Sequence, residues 1–256
     1  VVNLLELNKI YNEDCIGNKE LGTGMWRIPD KSIDMILCDL PYSKTVLKWD
    51  TIIPFKPLWE HYKRIIKDNG AIVLFSSQPF TSALVMSNPK LFKYEIIWDK
   101  VNISNPMLAK KQVLKSHENI LVFYKKQPTY NPQMSEGKMW KRGGNEAKNS
   151  EAKFMGIKIK RECVDDKTNL KYPKSIITLS NANRTNVLHP TQKPVELCEW
   201  LIKTFTNEEE IVLDNCMGSG TTAIACINTN RQYVGFEIEK EYYDLAIDRI
   251  NKHLHK

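Results

Sequence analysis

The sequence predicts an α/β fold interrupted by an irregular segment. Two stretches alternate short apolar, β-branched runs with helical spacing, the region between them loses all period, and one strand-to-helix junction carries two glycines. A chain of 256 residues can bury a sizeable core, as one large α/β domain with an inserted or appended subdomain or as two small domains.

Taken in order, NKIYNEDC reads as a short strand ending in acidic residues, and IDMILC (33–38) as a second, bounded by Pro29-Asp30 and Pro41. In FKPLWEHYKRIIK, Phe55, Leu58, Tyr62, Ile65 and Ile66 recur at helical spacing, with Asn69-Gly70 as the expected stop. AIVLFS is a buried strand, QPFTSALVMS a helix, and YEIIW and NILVFY are strands. From Lys125 to Val187 the chain turns polar, with Gly143-Gly144, prolines and scattered lysines, which suits a variable binding module or a mobile insertion. The pattern then resumes: VELCEWLIKTF is a helix just past Pro194, EIVLDN a strand, SGTTAIACINT a helix, QYVGFEI a strand and KEYYDLAIDRINKHL a closing helix. The expected divisions are 1–124, 125–187 and 188–256.

The net charge of +7 is unevenly spread. Between Asn105 and Thr185 stand 17 Lys and Arg against 7 Asp and Glu, and the rest of the chain is slightly acidic. A local basic excess suits a polyanion, since Lys and Arg that neutralise phosphates release condensed counterions; a solvated lysine-rich surface gives the same count. The six cysteines form no CxxC pair, and several lie in apolar segments, where a reduced, buried thiol is expected. The apolar runs, such as Ala71 to Phe75, are too short to span a bilayer, and the first residues lack the pattern of a signal peptide. The expectation is a soluble, cytoplasmic protein with no membrane partner.

VLDNCMGSGTTAIAC has the layout strand, acid, glycine turn, helix. Gly218 and Gly220 allow a sharp turn and a close backbone approach, and the helix start offers unpaired N–H groups to a polar or anionic moiety. Glu237 follows at the end of the next strand, where a carboxylate can accept both hydroxyls of a ribose. The loop alone fits the G-x-G-x-x-A form of a nicotinamide dinucleotide site as well as another nucleotide-like cofactor, and a tight turn with no ligand is a third reading.

The other unusual stretch is LCDLPYSKT. Asp39 is a strong acceptor for the N–H of an exocyclic amine of a base, and helps that nitrogen pyramidalise. Pro41, with its φ locked, can aim a backbone carbonyl at the second amino hydrogen, and Tyr42 offers a flat face to the ring of a base swung out of its helix. Read alone, the residues also fit a strand end followed by a turn, with Tyr42 in the core.

DLPY at 39–42, HPTQKP at 189–194, LDNCMGSGTT at 213–222 and GFEIEKEYY at 235–243, in that order, resemble the β-class bacterial and phage DNA amino-methyltransferases. The resemblance covers nearly the whole chain outside 125–187. It implies a Rossmann-like methyltransferase fold with a seven-stranded, mostly parallel sheet, an inserted target-recognition region at 125–187, and the outer segments as halves of one domain. The implied activity is transfer of a methyl group from S-adenosylmethionine to adenine N6 or cytosine N4 of double-stranded DNA, by direct displacement on a flipped base.

By motif, Asp39, Pro41 and Tyr42 match the catalytic loop. Asp214, Cys216, Met217, Gly218, Ser219, Gly220, Thr221 and Thr222 match the loop around the cofactor's methionine part, where Asp39 also borders the cofactor, and Glu237 matches the ribose-binding acid. Asp14 and Cys15 resemble the adenine-side motif, and Thr191, Gln192 and Lys193 (to Pro194) the methionine-side motif. KSHENILVFYK is similar to a family segment that brings His117 and Glu118 near the catalytic face.

The departures are Leu40, where the family has a first proline, and Asn215-Cys216, where Pro-Phe is common. Asp rather than Ser at position 39 favours adenine N6. Cytosine C5 chemistry needs a cysteine nucleophile, typically in a Pro-Cys step, and the sequence has none. The family also implies a homodimer and association with restriction systems. Phosphate contacts are expected from Lys138, Lys141, Arg142, Lys158, Lys160 and Arg161. Trp98 and Tyr124 are expected in the core, Tyr130 and Trp140 either there or stacked on bases, and His253 and His255 on the surface of the closing helix with no metal. The rival readings are a catalytically silent nucleic-acid-binding homologue and an RNA or protein amino-methyltransferase.

Overall fold

The computed structural model describes residues 5–42, 52–137, 169–180 and 192–255, with the backbone of two further strands at 152–154 and 157–159. The chain forms two compact units, one of Val1–Asn131 with Lys174–Lys256 and one of Pro132–Pro173.

Among the described residues, the larger unit is built on a sheet of eight strands: β1 (Lys9–Tyr11), β2 (Ile33–Asp39), β3 (Ile66–Ser76), β4 (Phe92–Asp99), β5 (His117–Phe123), β10 (Ile176–Thr178), β11 (Ile211–Asp214) and β12 (Gln232–Phe236). Their order across the sheet is β1-β12-β11-β2-β3-β5-β4-β10. All pairings are parallel except those of β5, which runs against both β3 and β4. The resemblance implied seven strands; the eighth is the short edge strand β10, which pairs with β4 through Ile176–Thr178.

The helices are α1 (Phe55–Ile65), α2 (Phe80–Ser87), α3 (Val195–Phe205), α4 (Thr221–Asn228) and α5 (Lys240–Leu254). They cover both faces, so the central strands are apolar at nearly every position, as a doubly covered parallel sheet requires. Met35, Leu37, Val73 and Phe75 pack with Leu197 and Leu201 of α3, Ala223 of α4 and Ile250 of α5. Ile36, Cys38, Ile72 and Leu74 pack on the opposite face with Leu58, Tyr62 and Ile65 of α1 and Leu84 of α2. Ile33 shares a face with Ile36 because the register shifts between Ile33 and Met35.

Asn69-Gly70 is not the stop of α1. The helix ends at Ile65, Ile66 is already extended at φ −71°, ψ 137°, and Ile66–Ser76 is one long strand. Gly70 serves that strand: a Cβ there would meet the Asp34 carbonyl oxygen at 2.7 Å.

In the smaller unit, β6 (Ser135–Glu136) pairs antiparallel with β9 (Leu170–Lys171), and β7 (Ala152–Phe154) with β8 (Ile157–Ile159). These short ribbons carry little regular period, which is why their residues read as irregular.

Candidate active site

In an open α/β sheet, ligands bind beyond the carboxyl ends of the strands, where the chain order reverses. That point lies between β11 and β2: from β11 the chain crosses through α4 to β12, toward one edge, and from β2 through α1 to β3, toward the other. A cavity of about 740 Å³ opens there, lined by Asp39, Leu40, Pro41 and Tyr42 after β2, by Asp214 to Ser219 after β11, and by Glu237 after β12.

Asp39 closes one side of the cavity. Its Oδ1 accepts a hydrogen bond from the Tyr42 hydroxyl at 2.5 Å, and its Oδ2 accepts one from Lys193 Nζ. Lys193 also lies 3.5 Å from Glu118 Oε2, and Lys100 Nζ donates to Glu118 Oε1 and to Ser104 Oγ at 3.1 Å each. Two carboxylates and two ammonium groups therefore alternate along the cavity wall.

Burial raises the Asp39 pKa above the ordinary carboxylate range, against the opposing field of Lys193. Burial works against the Lys193 charge, but Asp39, Tyr42 and Glu118 outweigh it and hold its pKa well above the usual value. The Glu118 pKa is lowered, since Lys193 and Lys100 outweigh its burial. Glu118 Oε2 is buried, with Lys193 at 3.5 Å as its ion-pair partner.

Tyr42 continues outward into an aromatic row: its ring centroid is 5.2 Å from Phe80, which is 5.8 Å from Phe55. Leu40, the departure from two prolines, is 2% exposed and fills the core beside α1 and α2. The substitution thus anchors the loop by packing and leaves Pro41 and Tyr42 at the cavity.

The glycine turn is held from within. Asp214 takes Thr222 Oγ1 at 2.6 Å on one oxygen and the Cys216 N–H at 3.0 Å on the other. Burial pushes its pKa up to about 6, against the hydrogen bonds it receives. Glu237 accepts the N–H groups of Gly218 at 2.7 Å and Glu239 at 3.0 Å, and burial raises its pKa too.

The two glycines differ in purpose. Gly218 has φ 54° and nothing within 4 Å of where a Cβ would stand, so its backbone borders open cavity. Gly220, at φ 77°, caps α4 and would set a Cβ 3.2 Å from that of Ala246 in α5; it does not line the cavity.

Two supports escaped the sequence. Tyr62 of α1, fully buried, donates to Asn215 Oδ1 at 2.6 Å, and Asn215 Nδ2 faces the thiols of Cys15 and Cys216 at 3.6 and 3.5 Å. Arg249 of α5 reaches the Ser219 carbonyl at 2.9 Å, its hydroxyl at 3.1 Å and the Thr221 hydroxyl at 2.9 Å. Only their distance in sequence hid them: position 215 reads as a missing proline, and Arg249 as one more surface charge on a helix.

Of the other expected residues, Asp14, Cys15, Gln192, Lys193, Ser219, Thr221 and Thr222 line the cavity. Asp14 Oδ1 accepts the Ile16 N–H at 2.9 Å, turning the chain after β1, and Ser219 Oγ is 3.5 Å from Gln192 Oε1. Glu118 lines the cavity, whereas His117 is exposed. Trp98 is buried and donates to the Leu179 carbonyl at 2.8 Å. Tyr124 packs against the core, Tyr130 is exposed, and His253 Nε2 meets Asn228 Oδ1 at 2.6 Å. Thr191, Lys138, Lys141, Arg142, Lys160, Arg161 and Trp140 lie outside the described residues, and of Lys158 only the backbone, opposite Lys153 in the β7–β8 ribbon, is described.

Cys38, buried under the glycine turn, has its thiol pKa pushed up to about 12 by burial, which keeps it protonated and unreactive. A buried carboxylate and a glycine turn sharing one cavity suit transfer between a cofactor and an amine. A family model described as DNA methylase, of the N6/N4 methyltransferase class, matches residues 33–248.

The chain belongs to the N6/N4 DNA methylase family. Among curated proteins, this DNA methylase is 26% identical to the Type II methyltransferase M1.MboII of Moraxella bovis, over 95% of this chain and 96% of that one. Among solved structures it resembles the M1.HpyAVI–SAM complex, with a TM-score of 0.63, 26% identity and coverage of 95% and 98% of the two chains. The PvuII DNA methyltransferase, described as cytosine-N4-specific, shares the fold at a TM-score of 0.65 and 14% identity, over 98% and 93%.

Proposed function

We propose that this DNA methylase transfers a methyl group from S-adenosylmethionine to the N6 amino group of adenine in double-stranded DNA. The observation that carries the reading is the meeting of Asp39, Pro41 and Tyr42 with the Gly218 turn and Glu237 around one cavity.

The residues fit S-adenosylmethionine. Open space beside the Gly218 backbone, a buried acid at Glu237 for ribose hydroxyls, and the carboxylates of Asp39 and Glu118 on the cavity wall match a cofactor with a diol, an amino-acid end and a positive sulfonium. Gly218, Ser219, Thr221 and Thr222 would hold the methionine part with Gln192, Glu237 the ribose, and Asp14 and Cys15 the adenine side. When bound, the cofactor supplies an electrophilic methyl group, open to direct displacement by a neutral amine.

The chain's own residues prepare that amine. Asp39, as an anion, accepts a hydrogen bond from the amino group in place of one of its present partners, and the Pro41 carbonyl takes the second hydrogen. Tyr42 stays protonated, because burial and the adjacent Asp39 raise its pKa, and it presents its ring beside Phe80 to the flipped base. Lys193 was expected on the methionine side; its bonds to Asp39 and Glu118 support a role in aiming and charging the catalytic acid. An acid at position 39, where cytosine-N4 enzymes of the family commonly carry Ser, favours adenine. The second unit, Pro132–Pro173, and its lysines are proposed for target recognition.

The test is mass spectrometry of nucleosides from unmethylated DNA incubated with the protein and S-adenosylmethionine, with Asp39→Ala alongside. N6-methyladenine from the wild type alone is the expected result. N4-methylcytosine would overturn the choice of base, and equal product from Asp39→Ala would overturn the mechanism.

A further inference from the structure

We propose that the connection between β4 and β5, residues 101–116, is a DNA-contacting arm beside the cavity, offering Met107 and Val113 to the base stack and Lys110 and Lys111 to phosphates. The inference rests on the DNA methylase reading above and adds to it a surface outside the 125–187 segment.

The arm is built, and its root belongs to the site. The Lys100 N–H donates to the Ser116 carbonyl at 2.8 Å and the Ser104 N–H to the Lys115 carbonyl at 2.7 Å, so the two limbs leave the sheet as a closed pair. Lys100 and Ser104 at that root line the cavity. Val101 takes φ 63°, a conformation rare for a β-branched residue, where the chain turns out of β4. At the tip, Pro106–Leu108 forms a 3-10 turn after Asn105 at φ 56°, and Lys111 and Gln112 donate back to the Leu108 carbonyl at 2.8 and 3.0 Å.

What this framework displays is unusual. Met107 is 93% and Val113 94% exposed, and Val101 and Ile103 are exposed at the base. Between 100 and 116 there are four lysines and no acid. Lys100 pairs with Glu118 and Lys115 bonds to Ser77 Oγ, which fastens the arm to the end of β3 and leaves the exposed Lys110 and Lys111 at its tip.

Four exposed apolar side chains within one short built loop suit a surface that meets something else. The lysines make that partner anionic, and continuity with the cavity makes it the substrate duplex. Taking a base out of the helix requires unstacking it, and an apolar side chain placed against the neighbouring base lowers that cost.

Two variants separate the arm's parts. With a random-sequence unmethylated duplex, Lys110→Ala/Lys111→Ala is expected to reduce the slope of log affinity against log salt by about 1.8, near 0.9 for each phosphate no longer neutralised. Met107→Ala/Val113→Ala is expected to lower methylation of duplex DNA about tenfold while methylation of the same strand as single-stranded DNA stays close to wild type, since that substrate needs no unstacking. Both should bind S-adenosylmethionine as the wild type does. Unchanged salt slope and an unchanged duplex-to-single-strand ratio would refute the arm. So would variants that lose self-association in sedimentation while keeping both DNA readouts, which would assign the surface to a second copy of the chain. A wild type that methylates neither form of DNA would instead refute the function on which the inference stands, and the inference with it.

Discussion

Lys193→Met removes the ammonium that Asp39 and Glu118 share while keeping most of its volume. Breaking a buried ion pair from one side costs about 3–5 kcal/mol. Here the side chains of Asp39 and Glu118 remain 23% and 19% exposed, so water entering the cavity screens part of that, leaving about 2 kcal/mol. For a domain of this size that is a fall in Tm of about 4–8 °C.

The effect on activity has a direction in pH. In the proposed mechanism Asp39 is a strong acceptor only as the anion, burial already raises its pKa, and Lys193 is the main group opposing that rise. Without it the pKa climbs further, so the acceptor form is lost at a higher pH as acid is added. The acid limb of the kcat/KM profile should move toward alkaline pH. On that acid limb kcat/KM should fall by up to about 30-fold, the equivalent of 2 kcal/mol on the Asp39 ionisation, and recover as pH rises. Lys193→Arg, which keeps the charge, should leave the limb close to its wild-type place. An acid limb and a Tm that Lys193→Met leaves unmoved would refute the reasoning.

Asp214 gives a second pH test: a carboxyl whose folded pKa is raised to about 6 holds its proton more tightly in the folded state, so it costs stability as pH rises from the ordinary carboxylate range through 6. Thermal melts should show Asp214→Asn gaining about 3 kcal/mol on the wild type between acid and neutral pH; a constant difference would refute it. Tyr62→Phe leaves Asn215 without its buried donor and should cost about 1–2 kcal/mol by denaturant melts while raising the KM for S-adenosylmethionine. The glycines should separate: Gly218→Ala meets no neighbouring atom and should melt within about 1–2 kcal/mol of wild type with weakened cofactor binding, whereas Gly220→Ala adds a tight 3.2 Å contact with the Ala246 Cβ and should lose more stability than that. Equal melting points for the two would remove the distinction.

The parts of this fold written in local pattern were legible. The helix VELCEWLIKTF is Val195–Phe205 in the structure, because Pro194 fixes its start and its apolar spacing runs unbroken. The end of α1 was not, because Gly70 looks like a helix stop and is in fact a strand residue pressed against the Asp34 carbonyl from β2. The same holds in the site. Asp39, the Gly218 turn and Glu237 stand in short motifs and meet at one cavity. The partners that tune them, Lys193 to Asp39 across 154 residues and Tyr62 to Asn215 across 153, are set by which strands neighbour each other, and no local pattern records that.

The sheet order also governs the history of each newly made molecule. The strand that carries Asp39, β2, pairs with β11, and the bond from the Ile211 N–H to Asp34 spans 177 residues. Closing a loop of that length costs about 4–5 kcal/mol in chain entropy before any packing repays it. Most of the apolar cover of one sheet face, from Leu197 of α3 to Ile250 of α5, follows later still in the chain than β5 and β10. A ribosome-bound chain therefore carries β2 with an open edge until β11 has emerged, and β3 with a bare face until α3 to α5 have emerged. Folding of the larger unit is accordingly late and all at once, and a chain released early would expose its stickiest strands.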